Sequence, residues 1–430
     1  MSRFVPFALG VPGDKSIAHR AILVAMLSHG ESRIDGVPAG ADVRSSARCA
    51  AMCGARVDYE GTSTLRVRGL GEAGPAGDLG ELDCGNSGTT MRLLTGILAG
   101  RRCSAVLVGD ESLSRRPMRR VVVPLEAMGA KITTRDGMAP VAIEGRPLTG
   151  RHHVLEVASA QLKSALLFAG LAAVGTTSVE ERELTRDHTE RMFASLGLPI
   201  RREGLRVAID PVARIPPLRT TIPGDFSSAA FWVALGAFGP RRIRVRGVGV
   251  NPTRTGLLDV LERAGARIEL ATASTDGGIE GAEPVADIEI EPGHALAPFD
   301  VSGLDATRTI DELPLLMILA AMLPGVSRFR NAGELRVKES DRIAAVARGL
   351  IALGAGVREH PDGIDVTGGR PLRAARVESE GDHRIAIGFA VLAAVADLKI
   401  EIGDAGAARV SYPEIYTDLE RAGLLRARLA

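Results

Sequence analysis

Residues 350–369, LIALGAGVREHPDGIDVTGG, carry the pattern that decides the fold. An apolar helix end is followed by Gly354, a short alternating segment, a turn at Asp362 and Gly363, and a second alternating segment. Glycine after the last helical turn marks a helix C-terminus, and alternation of apolar and polar residues is typical of β-strands. The stretch therefore predicts a helix that leads into a β-hairpin.

The same pattern occurs five more times along the chain. Copies surround Gly54, Gly129, Gly197 and Gly265, the last with a longer insertion before ADIEIEP, and a truncated copy surrounds Gly423. The first five copies in chain order are spaced by 75, 68, 68 and 89 residues. Self-similarity on this scale indicates an architecture built from repeats.

A second and far more apolar segment lies ahead of each copy. A helix that is apolar on nearly all sides is buried on all sides. The two patterns together predict six βαβαββ-like units, each with one buried and one more exposed helix. The six apolar segments are 17–30, 89–100, 161–175, 227–239, 312–325 and 383–396.

The chain length predicts two domains. A chain of 430 residues is too long for one hydrophobic core. We therefore expect an α/β fold with three βαβαββ repeats in each domain. The proline-rich stretch RIPPLRTTIPGD, residues 214–225, lies where the third unit ends. It predicts a first lobe at 14–223 and a second lobe at 224–430, which the N-terminal segment 1–13 completes.

Composition excludes several classes of partner and site. A net charge of +1 and 3% aromatic residues argue against nucleic acid and membrane surfaces as partners. The four cysteines match no zinc spacing, so we expect small buried thiols and no metal. The N-terminus lacks the pattern of a signal peptide, and no apolar run is long enough to span a membrane. These features predict a cytoplasmic protein.

Basic residues gather where the buried helices begin. Lys15, Arg20, Arg92, Lys163 and Arg384 lie in first turns, where a cation opposes the helix dipole. A bound anion would reverse that cost, because helix N-termini and arginine side chains both bind phosphate and carboxylate. The sequence therefore predicts that the protein holds more than one anionic group.

Neutral polar residues at the helix starts and arginines in loops extend this set of possible anion ligands. Ser16, Asn86, Ser159 and Gln161 lie at the same helix starts, although such residues are equally compatible with N-capping. Arg115, Arg116 and Arg186 lie in loops, where a single arginine is often only solvated. There is no GxxxxGK[ST] motif, so P-loop nucleotide-binding folds gain no support.

The stretch ELRVKESDRI, residues 334–343, is dense in charge. Arg336, Lys338, Glu339, Asp341 and Arg342 precede an amphipathic segment that packs into a core. A solvated helix start with acidic residues near the dipole is the simple interpretation. The other is that Lys338 and Arg342 bind anions, Glu339 carries a proton and Asp341 orients an arginine.

Eight motifs resemble the 5-enolpyruvylshikimate-3-phosphate synthase family of enolpyruvyl transferases. The resemblance runs from about residue 11 to 415 with the motifs in the family's order. The motifs are PGDKSIAHR, GNSGTTMRLL, RRPM, SAQLKSALL, TRDHTERM, PGDFSSAAF, RVKESDRI and GDHRIAI. The resemblance implies the enolpyruvyl transferase fold, an inside-out α/β barrel in two domains of three repeats.

The resemblance also implies a reaction and a set of residues. The family transfers the enolpyruvyl group of phosphoenolpyruvate to the 5-hydroxyl of shikimate 3-phosphate and releases phosphate, in the shikimate pathway to chorismate and aromatic amino acids. Asp311 and Glu339 would be the acid–base pair, with Lys15 as a further catalytic residue. Residues implied to bind shikimate 3-phosphate are Lys15, Ser16, Arg20, Ser159, Gln161, Arg186, Asp311 and Lys338. Those implied to bind phosphoenolpyruvate are Lys15, Asn86, Gly88, Arg116, Gln161, Arg342 and Arg384.

The residue types suit this chemistry. Both substrates carry a carboxylate and a phosphate, so their repulsion must be offset by lysine and arginine. Addition places a proton on the vinyl carbon and removes one from the hydroxyl. In the elimination, one group takes a proton from the methyl group and another helps phosphate to leave. Two carboxylates among cations can do this work without metal or organic cofactor.

Two positions bear on ligand binding. Many family members have a lysine near the C-terminus where this chain has Val410. Arg409 lies one position earlier and, on a strand, would face the other way. Gly88 is retained where an alanine makes some relatives insensitive to glyphosate, so glyphosate is an expected inhibitor.

Other functions remain open at this point. The UDP-N-acetylglucosamine enolpyruvyl transferase shares the fold and the chemistry, but it has a reactive cysteine where this chain has Glu111. A catalytically inactive anion-binding repeat protein is a second alternative, which retention of Asp311 and Glu339 argues against. We expect a monomer.

Overall fold

The computed structural model describes residues 6–272 and 282–430. These residues form two compact units. The N-terminal unit comprises residues 13–222 with 282–283, and the C-terminal unit comprises 6–12, 223–272 and 284–430. Residues 1–5 and most of the insertion before ADIEIEP lie outside the described residues.

Helices of the N-terminal unit alternate between buried and more exposed. The buried ones are α1 (Lys15–Leu27), α3 (Gly88–Ala99) and α6 (Ala160–Gly170). The others are α2 (Ala41–Met52), α4 (Glu111–Ser114), α5 (Arg119–Ala127) and α7 (His188–Ser195).

The C-terminal unit repeats this alternation. Its buried helices are α8 (Phe226–Phe238), α11 (Leu313–Leu319) and α13 (His383–Val395). The others are α9 (Gly256–Arg263), α10 (Gly303–Thr309), α12 (Arg342–Ala352) and α14 (Ile415–Arg421). Among the residues that the structure describes, 3₁₀ helices lie at Gly71–Ala73 in the N-terminal unit and at Ala320–Met322, Gly333–Val337 and Ala405–Val410 in the C-terminal unit.

The strands form one small sheet for each repeat. The N-terminal unit has sheets of order β13-β2-β4-β3, β5-β6-β8-β7 and β9-β10-β12-β11. Their strands are β2 (Glu31–Asp35), β3 (Arg56–Glu60), β4 (Thr64–Arg68), β5 (Gly77–Asp83), β6 (Cys103–Val108), β7 (Lys131–Arg135), β8 (Met138–Glu144), β9 (His152–Val154), β10 (Thr177–Glu180), β11 (Ile200–Glu203), β12 (Arg206–Ile209) and β13 (Arg219–Thr221).

The first two sheets of the C-terminal unit follow the same plan, and the third has, in the described part of the chain, three strands that all pair in parallel. Their orders are β1-β14-β16-β15, β17-β18-β20-β19 and β21-β22-β23. Their strands are β1 (Phe7–Gly10), β14 (Ile243–Gly249), β15 (Arg267–Thr272), β16 (Val285–Glu291), β17 (Asp300–Val301), β18 (Gly325–Phe329), β19 (Gly356–His360), β20 (Gly363–Gly368), β21 (Arg376–Glu378), β22 (Glu401–Gly403) and β23 (Arg428–Leu429).

Among the described residues, five of the six repeats join a parallel crossover to an antiparallel hairpin, whereas in the sixth β22 pairs in parallel with both β21 and β23. In the second repeat, β5 pairs with β6 in parallel, and β6 and β7 both pair antiparallel with β8. The parallel pair needs a crossover connection, and the buried helix α3 supplies it. The exposed helix α5 then leads through Gly129, at φ 103°, into the hairpin β7–β8. This is the order of elements that the glycine pattern predicts.

The first repeat of each unit obtains its first strand from elsewhere in the chain. Strand β1 pairs in parallel with β14, with Phe7 opposite Ile243. Strand β13 pairs in parallel with β2, with Arg219 opposite Arg33. The role of β13 within the proline-rich stretch was not predicted from the sequence.

The helices formed by the six apolar segments are the buried helices of the structure. All residues of α11 and nearly all of α8 are buried, and the six apolar helices form the centres of two separate cores, one per unit. All four cysteines are buried and free, as the sequence predicts. Within 6–272 and 282–430, no helix has both the length and the apolar character needed to cross a bilayer.

Candidate active site

The start of α1 holds three of the predicted site residues. Asp14 caps the helix by accepting a hydrogen bond from the Ile17 backbone N–H at 2.9 Å. Lys15 forms an ion pair with the buried carboxylate of Asp42 on α2. The acidic cap and this carboxylate offset the dipole, so a lysine is tolerated at the first helical position.

Arg20 lies one turn further along α1 and is buried. Its guanidinium donates to Thr189 Oγ1 at 2.8 Å, to Ser164 Oγ at 2.9 Å and to the Ser16 carbonyl at 2.9 Å. Burial lowers the pKa of Arg20 to about 10, an effect that Glu190 opposes and the like charge of Arg186 reinforces. The predicted residues Ser16, Arg20 and Arg186 are thus brought together in the N-terminal unit.

A second group surrounds the start of α3. Arg116 donates to Asn86 Oδ1 at 2.7 Å and to the Asn86 carbonyl at 3.3 Å. Arg92 donates to Gln161 Oε1 at 2.6 Å, and Gln161 donates to Thr89 Oγ1 at 2.9 Å. These hydrogen bonds to neutral oxygens hold the two guanidinium groups in position.

Gly88 is enclosed by these two arginines. A methyl group at Gly88 would lie 2.8 Å from Arg92 Nη1 and 3.4 Å from Arg116 Nη1. The position is the first of α3, where an alanine fits the backbone. Glycine therefore matters here for the room it leaves beside two cations.

Two residues at the start of α6 have partners within the protein. Ser159 is the N-cap and its Oγ accepts from the Leu162 N–H at 3.4 Å, which leaves its O–H able to donate to a ligand. Lys163 is wrong as an anion ligand. Its buried ammonium lies 2.8 Å from Glu181 and 2.7 Å from Glu190, so its charge is already balanced within the protein.

The C-terminal unit places Arg342 among three carboxylates. Arg342 begins α12 and is buried, with its Nε 2.7 Å from Asp382 and its Nη2 2.6 Å from Glu339. Its Nη1 lies 3.6 Å from Asp311 Oδ1. Burial alone would lower the pKa of Arg342, but Asp382, Glu339 and Asp311 outweigh it and raise that pKa.

Arg384 links the same cluster to α13. It donates to the Asp311 carbonyl at 2.7 Å, and its Nη2 lies 3.5 Å from Asp311 Oδ2. Asp311 thus contacts both Arg342 and Arg384, while Glu339 contacts Arg342. The two predicted acid–base residues and the two predicted anion-binding arginines form one cluster.

In the rest of the KESDR stretch, Asp341 contacts an arginine as the functional interpretation predicts, and anion binding by Lys338 stays a prediction. Asp341 caps α12 and accepts from Arg336 at 2.8 Å. Lys338 lies 3.5 Å from Glu334. Burial lowers the pKa of Lys338, although Asp311 and Glu334 oppose the shift. The lysine therefore belongs to the electrostatic neighbourhood of Asp311.

Sequence reasoning missed four residues of this cluster. Ser227 donates to Glu312 at 2.5 Å and accepts from Arg254 at 2.8 Å and from Arg384 at 3.2 Å. Asp382, which holds Arg342, also caps α13. Arg254 follows a loop that gave no signal, whereas Ser227 and Asp382 lie inside PGDFSSAAF and GDHRIAI, and Glu312 is the first residue of the apolar segment 312–325.

The expectation for Arg409 was wrong. It assumed a strand, on which Arg409 and Val410 would face opposite sides. The residues instead end the 3₁₀ helix Ala405–Val410, and Arg409 is exposed. Neighbours on a 3₁₀ helix differ by about a third of a turn, so the strand argument does not apply.

Comparisons with known proteins agree with these motifs. The family model for EPSP synthase (3-phosphoshikimate 1-carboxyvinyltransferase) matches residues 7–419. The chain belongs to the EPSP synthase family. The 3-phosphoshikimate 1-carboxyvinyltransferase of Acidithiobacillus ferrooxidans is 46% identical over 420 residues, which cover 96% of this chain and 95% of the relative. That of Anaeromyxobacter sp. is 45% identical over 417 residues, with 96% and 95% covered.

Solved structures lead to the same family. An EPSP synthase from Acinetobacter baumannii is 36% identical, with a TM-score of 0.83 over 98% of this chain and 96% of that chain. The two-domain, inside-out α/β fold of enolpyruvyl transferases is thereby confirmed. The prediction of a transferase of the shikimate pathway, which transfers a carboxyvinyl group in aromatic amino acid biosynthesis, is confirmed as well.

Proposed function

We propose that the residues described above bind the two substrates of this reaction and move its protons. Shikimate 3-phosphate is bound by Lys15, Ser16, Arg20, Ser159, Gln161, Arg186, Asp311 and Lys338. Phosphoenolpyruvate is bound by Lys15, Asn86, Gly88, Arg116, Gln161, Arg342 and Arg384. The reaction joins the enolpyruvyl group to the 5-hydroxyl of shikimate 3-phosphate and releases phosphate.

The basic residues bind the carboxylate and phosphate groups of the substrates. Each substrate carries one carboxylate and one phosphate, and hydrogen bonds from lysine or arginine to such groups are about twice as strong as neutral ones. Arg20, Arg92 and Arg116 are held by hydroxyl, amide and carbonyl oxygens. Preformed positions lower the ordering cost of binding, which supports their assignment to substrates.

The contact of Asp311 and Glu339 with the same arginine is the observation that carries the mechanism. Arg342 lies 3.6 Å from Asp311 and 2.6 Å from Glu339. Two carboxylates on one guanidinium are fixed in orientation yet remain 15% and 18% exposed. They can therefore exchange protons with bound substrates.

The reaction then runs in two stages. In the addition, the vinyl carbon of phosphoenolpyruvate gains a proton, and the 5-hydroxyl loses one as its oxygen bonds to the neighbouring carbon. In the elimination, the new methyl group loses a proton and the carbon–oxygen bond to phosphate breaks. Asp311 and Glu339 supply and remove these protons, and Lys15 with the arginines stabilises the charge on the phosphate that leaves.

Phosphate release in the presence of each acceptor tests the proposal. The protein should release phosphate from phosphoenolpyruvate with shikimate 3-phosphate and not with UDP-N-acetylglucosamine. Release with the UDP-sugar alone would establish the rival transferase. No release with either acceptor, from folded protein, would support the inactive anion-binding alternative.

Three further properties belong to the proposal. Glyphosate should inhibit the protein, because Gly88 leaves room beside Arg92 and Arg116. The protein should be a monomer, which light scattering after size-exclusion chromatography would test. Fractionation of cells should find it in the cytoplasm.

A further inference from the structure

The ammonium group of Lys163 is paired inside the N-terminal unit. The side chain is 0% exposed, and Nζ lies 2.8 Å from Glu181 Oε2, 2.7 Å from Glu190 Oε1 and 3.4 Å from the Thr185 carbonyl. A lysine ammonium has three N–H donors, and here it donates to Glu181 and to the Thr185 carbonyl and forms an ion pair with Glu190. The buried charge is balanced by carboxylates, which such a group requires.

The three partners of Lys163 surround the segment that carries Arg186. Glu181 directly follows β10, Thr185 directly precedes Arg186, and Glu190 lies on α7. Thr185 also donates its hydroxyl to Glu181. One ammonium on α6 therefore fixes the beginning, the middle and the end of the 181–190 segment.

A second bridge between α6 and α7 runs beside the first. Thr189, next to Glu190, donates to Ser164, next to Lys163, at 2.7 Å. Arg20 donates to both hydroxyls, at 2.8 and 2.9 Å. The spacing of α6 and α7 that the Lys163–Glu190 pair sets therefore also sets the position of the Arg20 guanidinium.

From this geometry we infer that Lys163 is a positioning residue for the phosphate-bearing acceptor. It places Arg186 through the Thr185 carbonyl and Arg20 through the α6–α7 bridge, without contact with the substrate. The inference rests on the proposed function, in which both arginines bind shikimate 3-phosphate. Of the phosphoenolpyruvate residues in this unit, Asn86 and Arg116 lie on other elements, and Gln161 lies on α6 but outside the 181–190 segment that Lys163 holds. The effect should therefore fall mainly on the acceptor.

Substitution of the ion pair as a unit tests this role. Lys163→Met combined with Glu190→Gln keeps the net charge, and Arg202, 3.9 Å from Glu181 Oε2, remains as a cation beside the buried Glu181. We expect the KM for shikimate 3-phosphate to rise about tenfold or more, the scale of a weakened hydrogen bond to a charged group. The KM for phosphoenolpyruvate should change less than threefold. Lys131→Met, which removes an exposed pair with Glu144 at 2.6 Å, is the matched control and should match the wild type.

Thr185→Val is the milder variant if the buried substitutions prevent folding. It removes the hydroxyl bond to Glu181 with little change in shape, and it should raise the same KM selectively but by a smaller factor. An equal rise of both KM values, or an unchanged KM for shikimate 3-phosphate in folded variants, would overturn the inference.

A double-mutant cycle with Arg186→Gln separates positioning from general loosening. Thr185→Val should raise the KM for shikimate 3-phosphate in the wild-type protein. If Lys163 acts largely through Arg186, the same substitution should raise that KM little further in the Arg186→Gln variant. Independent, multiplying effects would contradict this route. Failure of the proposed function is distinguishable, because the wild-type protein itself would then release no phosphate with shikimate 3-phosphate.

Discussion

The contacts described above for the candidate-site arginines differ between the two units. In the N-terminal unit, Arg20 and Arg116 donate to hydroxyl, amide and carbonyl oxygens. In the C-terminal unit, Arg342 and Arg384 contact the carboxylates of Asp311, Glu339 and Asp382. Neutral partners fix a cation without cancelling its charge, whereas carboxylates balance it and bring groups that can carry protons.

The difference indicates a division of work between the two sets of residues. Residues of the N-terminal unit are suited to bind anions, and the cluster around Arg342 is suited to proton transfer as well as to anion binding. Substitutions in the first set should therefore change substrate affinity, and substitutions of the carboxylates should change turnover.

The largest effect should come from Glu339→Gln. The amide can still accept a hydrogen bond from Arg342, but it cannot carry the proton. We expect kcat to fall by roughly 10²–10⁴, the usual contribution of a positioned acid or base. Steady-state phosphate release measures it, with Glu359→Gln, an exposed partner of Arg336 at 3.5 Å, as the control. Wild-type turnover would remove Glu339 from the mechanism.

Arg20→Gln should give the next largest effect, on affinity. The variant loses a charged donor and keeps a polar group beside Ser164 and Thr189. The KM for shikimate 3-phosphate should rise roughly 10- to 100-fold, as expected for hydrogen bonds to a charged group. Arg33→Gln, which breaks an exposed pair with Asp35, is the control in the same unit. A fall in kcat with an unchanged KM would contradict the assignment.

Gly88→Ala should have a smaller effect, and this effect should differ between phosphoenolpyruvate and glyphosate. The added methyl meets Arg92 Nη1 at 2.8 Å, so the guanidinium must shift. The KM for phosphoenolpyruvate should rise about fivefold, since overpacking costs about 1 kcal/mol at least, and glyphosate inhibition should weaken more. Gly406→Ala, at a position with open space, is the control. Undiminished glyphosate inhibition would show that Arg92 and Arg116 do not hold it.

The smallest effect should be a change in pH dependence at Lys338. Burial lowers the pKa of this lysine, so it loses its charge at a lower pH than an ordinary lysine does. As the pH rises, kcat/KM for shikimate 3-phosphate should therefore fall early, and Lys338→Arg should move that fall to higher pH. Lys131→Arg should leave the profile unchanged. A profile that Lys338→Arg does not move would exclude Lys338 as the titrating group.

Much of the fold could be predicted because it rests on local signals. Gly54, Gly129, Gly265 and Gly354 all have φ between 91° and 110°, which few other residues adopt, so the helix ends were visible in the sequence. The buried helices were equally visible from their apolar residues. Strand β13 was not, because its three residues lie in a proline-rich stretch and pair with β2 far earlier in the chain.

The site was predictable where residue type and position point to the same chemistry. The carboxylates and arginines of KESDR and GDHR lie in recognisable motifs, and they do form one cluster. The partners of Lys163 could not be foreseen, since Glu181 and Glu190 lie in a different element, and a buried ion pair looks in sequence like an anion-binding lysine. Arg254 was missed for the same reason, since its partner Ser227 is distant in the chain.

Titration calorimetry with shikimate 3-phosphate tests the division of work most directly. The proteins to compare are the wild type and the Glu339→Gln and Arg20→Gln variants. The wild type and Glu339→Gln should bind with nearly equal Kd, while Arg20→Gln should bind roughly 10- to 100-fold more weakly. Weak binding by Glu339→Gln together with wild-type binding by Arg20→Gln would contradict the account.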